Sequence, residues 1–120
     1  MYMSGMRGLA AWGALALASA AGAQTVALGL TRAQLEDADL VDAQGVEIGD
    51  VEYAITDGNG RVTALAIEVD RRHPEPDKLV SIPLTGLGAV PEPGDPGDFN
   101  IVTRMSAAQI AALPELAAPR

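Results

Sequence analysis

At 120 residues, with 16 acidic against 8 basic side chains and a net charge of −8, the chain has room for one domain. It carries the wrong sign of charge to favour DNA, RNA or an anionic membrane. It contains no cysteine, which excludes disulfides, thiolate zinc sites, iron–sulfur clusters, thiol nucleophiles and a lipid-bearing cysteine.

Residues 1–23, MYMSGMRGLAAWGALALASAAGA, set Arg7 ahead of an uncharged Ala- and Leu-rich run over residues 8–21 and close on Ala21-Gly22-Ala23. A basic start, an apolar middle and an Ala-x-Ala end are the plan of a secretory signal peptide. Cleavage after Ala23 is therefore expected, leaving a periplasmic or secreted domain with no inserted segment. No charge returns before Arg32, so an uncleaved N-terminal anchor is the alternative. Arg7 would stay on the cytoplasmic side and the domain would again lie outside.

Residues 24–39 read as a lead-in. Thr31-Arg32-Ala33-Gln34 has the Thr-x-x-Gln form of a capping box and predicts one short helical turn. From residue 40 the apolar period is two. Leu40 and Val41 begin a strand that breaks at Asp42-Ala43-Gln44-Gly45, a turn composition. Val46 and Ile48 alternate with Glu47, whereas Val51, Tyr53 and Ile55 alternate with Glu52, Ala54 and Thr56. The parity changes, so one inserted residue is expected at Gly49-Asp50, with glycine supplying φ freedom and Ala54 pointing outward.

Asp57-Gly58-Asn59-Gly60 is the strongest turn signal and predicts a hairpin. Beyond it Thr63, Leu65, Ile67 and Val69 make one face, and Val80, Ile82 and Leu84 continue the pattern in a later strand. Pro83 belongs at an edge or strand end, because it has no N–H to donate. Residues 90–98, VPEPGDPGD, read as a loop, and residues 99–103 as the last strand. Ser106-Ala107-Ala108-Gln109 repeats the capping box, in a helix that Pro114 limits. Short strands and tight turns predict an all-β fold, a small antiparallel barrel or sandwich with one or two short helical turns.

The segment LVDAQGVEIGDVEYAITDGNGRVTALAIEV (40–69), followed by KLVSIPLTGL (78–87), resembles the PRC-barrel domain family. The likeness lies in an apolar pair at Leu40-Val41, an acidic-to-Gly turn at Asp42 and Gly45, and the step Ile48-Gly49-Asp50-Val51. It continues through the turn from Asp57 to Gly60, the aliphatic strand of Leu65, Ile67 and Val69, and Ile82-Pro83. The resemblance implies a barrel domain over residues 40–113 with a tail over 114–120. It also implies a contact or assembly role, as in the reaction-centre H subunit and a ribosome maturation factor.

The candidate sites are few. His73 is the single histidine, in Arg71-Arg72-His73-Pro74-Glu75-Pro76-Asp77, where Glu75 and Asp77 are possible co-ligands. One imidazole makes no zinc triad, and flanking prolines favour a solvated loop. Asp57 and Asn59, like Glu92, Asp95 and Asp98, suggest calcium but lack the spacing of an EF-hand loop, and turn chemistry and solvation explain them. Ser81 has no adjacent histidine and no Gly-x-Ser-x-Gly frame. Glu68 and Asp70 are accounted for by strand alternation. No catalytic, metal or cofactor residues are assigned. The expectation is an exported, non-enzymatic module of the bacterial cell envelope that binds a protein partner or itself. A periplasmic binder of cations or small molecules through acidic loops is the alternative.

Overall fold

The computed structural model describes residues 24–70 and 75–117; residues 1–23, where a signal peptide is expected, and His73 lie outside them. Strand β1 (Thr25–Ala27) turns into β2 (Leu30–Thr31) over Leu28 and Gly29, whose φ angles are 54° and 75°. Two successive positive φ values give the two-residue hairpin turn that matches strand twist. Helix α1 (Arg32–Glu36) follows at once. Gln34 N–H donates to Thr31 Oγ1 at 3.1 Å and Thr31 N–H to Gln34 Oε1 at 2.9 Å, the capping box expected there. Leu30, Leu35 and Ala38 are buried in the main core, so the lead-in completes the domain.

Strands β3 (Asp39–Val41), β4 (Glu47–Thr56), β5 (Val62–Val69) and β6 (Lys78–Pro83) then run as an antiparallel meander. Its first two turns are built alike. Asp42 N–H donates to Val46 O and Gly45 N–H to Asp42 O, while Asp42 Oδ1 accepts from the N–H groups of Gln44 and Val46. Asp57 repeats every bond with Arg61, Gly60 and Asn59. In each turn the aspartate caps the backbone, and the glycine, φ 84° at Gly45 and 80° at Gly60, takes a conformation denied to side chains with a Cβ.

Residues 90–98 are not the expected loop. They lie largely in strands β7 (Gly88–Glu92) and β8 (Asp95–Val102), joined over Pro93-Gly94. The prolines are accommodated because β7 is an edge strand and Pro96 falls in an irregular stretch of β8 with no β3 partner. Helix α2 (Ala107–Ala111) closes the element order, its N-terminus held by the Ser106–Gln109 capping box.

The main sheet has the order β6-β5-β4-β3-β8-β7 and is open, not a closed barrel, and β3 lies parallel to β8 rather than antiparallel. It is nevertheless strongly curved. A flat sheet would hold β6 and β7 about 24 Å apart, at ~4.8 Å per strand. The five steps from Pro83 to Gly88 reach at most about 18 Å. The facing edges are unpaired: Pro83 and Pro91 have no N–H to donate, and the Leu79 carbonyl accepts from Leu116 N–H at 2.7 Å.

The concave face holds Leu40, Val51, Leu65, Ile67, Val80, Ile82 and Ile101, and Ile110 of α2 is buried among them. The parity of β4 differs in detail from expectation. On the β3 side the inserted residue is Ile48, between the pairs Val41–Glu47 and Leu40–Gly49; on the β5 side it is Glu52, between Val51–Ile67 and Tyr53–Ala66. Ala54 consequently packs on the core instead of pointing outward, whereas Tyr53 and Ile55 are not part of it. Val46, expected inward, is 61% exposed. A further insertion at Thr63 brings Val62 onto the core. Gly49 does not have a positive φ. A Cβ there would collide with the Glu68 carbonyl oxygen and lie 3.2 Å from Val69 Cα, so glycine is required by close backbone approach.

Candidate functional site

The convex face is charged. Register places Asn100 of β8 beside Asp39 of β3, Asp39 opposite Asp50 of β4, and Asp50 opposite Glu68 of β5. Three carboxylates thus stand side by side across three strands. Directly opposed side chains have Cβ atoms ~4.5–5.5 Å apart, and like charges at that separation are destabilising. Carboxylate oxygens of Asp39, Glu47 and Asp50 lie within 4.8 Å of one another, as do those of Asp50, Glu68 and Asp70. At the end of the row the Asn100 Oδ1 is buried without a hydrogen-bond partner.

The electrostatic consequence is uniform in sign. Partial burial, then a hydrogen bond with the Asp39 carboxyl and the charges of Asp39 and Asp77, push Asp50 above its ordinary value. Glu68 is raised by loss of solvent and by Glu52, Asp77, Asp50 and Asp70, in that order. Asp70 is raised by loss of solvent and by Asp50 and Asp77. Loss of solvent leads in all three, and because each named charge is negative, repulsion within the face adds to it in the same direction.

Beside the row runs a groove of about 420 Å³, walled by Glu52, Glu68, Asp77 and Glu115, with Tyr53, Leu79 and Leu116 supplying apolar surface. Lys78 also borders it, but its ammonium group donates to Ala111 O at 2.9 Å. The tail closes one side, tied to β6 by the Leu116–Leu79 bond. A site of this kind offers carboxylate acceptors around an apolar floor and suits a cationic or mixed cationic–apolar ligand.

The sequence candidates fall into four groups. Glu75 and Asp77 are exposed, and Asp77 contributes its charge to the acidic face, whereas His73 lies outside the described residues. Asp57 is engaged in its turn, and Ser81 lies on β6 opposite Ala66. Glu92, Asp95 and Asp98 are brought together by the unexpected hairpin, with carboxylate oxygens within 4.8 Å of one another. Glu68 and Asp70 meet Asp50 across the strands. Asp39 and Glu115 were not singled out in the sequence, and Asp50 only as part of the expected bulge, not as a site residue. Strand alternation hints at Asp50 and Glu68 sharing a face, but nothing local announces the β3 partner or the tail. No protein-family model matches the chain, and no curated protein matches it. Among the described residues no helix is long and apolar enough to cross a membrane.

Proposed function

We propose that this chain is an exported, non-enzymatic contact module of the PRC-barrel kind, whose acidic sheet face docks on a basic protein surface. The carrying observation is the row Asp39–Asp50–Glu68. Opposed like charges weaken the free domain, and a partner's Lys or Arg would relieve that repulsion on docking. The arrangement therefore favours complementary partners, speeds encounter and disfavours acidic ones. The segments that carry the family resemblance coincide with the β3–β6 meander that displays the row.

A photoreactive residue placed at Glu52, on the acidic face, should capture a defined partner in cells, and one placed at Ala43, in the exposed β3–β4 turn, should not. Capture should weaken as salt rises. Equal capture from both positions would overturn this reading.

The triplets Asp50/Glu68/Asp70 and Glu92/Asp95/Asp98 support a second reading, a cation-binding protein. Melting with EDTA and with millimolar calcium separates the two. An ion at a thousand times its dissociation constant adds ~4 kcal/mol, a shift of several degrees in a domain of this size. The contact module shows no such shift.

A further inference from the structure

The β6 edge is partly occupied by the protein's own tail, and the manner of occupation shows what else fits there. Leu84 N–H donates to Thr63 O, toward β5. Alternation along an antiparallel ladder then turns the backbone groups of Leu79, Ser81 and Pro83 away from β5. Leu79 bears this out, because its carbonyl accepts Leu116 N–H at 2.7 Å. No second backbone bond joins the described tail to β6. Ser81 therefore presents an outward N–H and C=O, and Pro83 an outward C=O, beyond that single rung.

The tail is a poor occupant of this edge. Pro114 has no N–H, and Glu115 is brought to a groove already lined by Glu52, Glu68 and Asp77. Only Leu116 adds apolar contact and a backbone bond.

We infer that the β6 edge receives an extended basic segment of a protein partner as an additional strand, displacing residues 114–117. The segment bonds to the backbone of Leu79 and Ser81, and alternate Lys or Arg side chains fall on the convex face, into the groove among Glu52, Glu68 and Asp77. Positions two apart on an added strand share that face, and main-chain bonding with pockets for alternate side chains is how sheet edges recognise peptides. The inference rests on the contact-module reading and narrows it to one edge.

The test uses a capped peptide of alternating Lys and Val, with a Glu/Val peptide as control, on the purified protein. Binding of the Lys/Val peptide should protect the Ser81 amide from hydrogen exchange and expose that of Leu116. Ser81→Pro removes the outward N–H at an edge position that tolerates proline. It should weaken binding by about tenfold or more without unfolding the protein, as its circular-dichroism melt would show. Leu116→Pro, which deletes the tail's own rung, should tighten binding. Binding that ignores both substitutions, binding of the Glu/Val peptide equally well, or no binding even to Leu116→Pro would each overturn the inference. Partner capture from Glu52 that survives Ser81→Pro would overturn it while leaving the contact-module reading intact.

Discussion

The two faces of strands β3, β4 and β5 are made from alternate residues of the same segments and obey opposite rules. On the concave face Leu40, Val51, Leu65 and Ile67 have 0–3% exposure and pack into one cluster. On the convex face Asp39, Asp50 and Glu68 occupy equally regular positions and repel one another. Cohesion on one side tolerates repulsion on the other. The contrast teaches that ladder register, which serves packing on the inside, is what concentrates charge on the outside.

Breaking the concave side should give the largest effect. Leu65→Ala empties a fully buried position and should cost about 2–5 kcal/mol in urea unfolding. A smaller loss would mean that the core collapses around the gap.

Gly49 belongs to both faces, since it pairs with Leu40 and Val69 within the core ladder and its neighbour Asp50 carries the charge. Gly49→Ala should cost about 1–3 kcal/mol, because the new Cβ meets main-chain atoms of Glu68 and Val69 that no rotamer change can move. A neutral result would place β5 further from β4 than the geometry here.

The smallest effect should have the opposite sign. Asp50→Asn removes one charge from the row and should stabilise the domain by about 0.2–1 kcal/mol at neutral pH. Asp50, Glu68 and Asp70 all titrate above their ordinary values of 3.8, 4.5 and 3.8. The fold then binds protons more tightly than the unfolded chain, so this contribution to stability is present at low pH. It is lost as pH rises through the raised values. The advantage of Asp50→Asn over the wild type, followed by thermal melts across pH, should therefore shrink on acidification. An advantage that is constant with pH would mean the row does not titrate as a repelling group.

Much of the local structure was legible in the residues. The capping boxes at Thr31 and Ser106 and the aspartate–glycine turns at Asp42 and Asp57 involve bonds spanning two to four positions, so the chain states both partners together. The parity break near Gly49 was visible too. Its placement was not, because an insertion is defined against a neighbour: Ile48 is extra relative to β3 and Glu52 relative to β5. The β7–β8 hairpin was hidden by proline and glycine, which read as loop until an edge position makes them admissible. The acidic row was hidden for a related reason. Asp39, Asp50 and Glu68 are distant in sequence, and only pairing makes them neighbours.

The three-rung parallel ladder between β3 and β8 has a bearing on how the chain reaches this state. It joins residues roughly 60 positions apart, whereas the β3–β6 meander closes through short local connections, and distant pairings carry the larger entropic barrier. The meander can therefore assemble first, with the edge of β3 bare until the β7–β8 hairpin arrives. During that interval the chain is a smaller sheet with an open flank and with Leu40 lacking its neighbour Ile101. Any state that had formed the meander without this ladder would expose that flank to pairing with another copy.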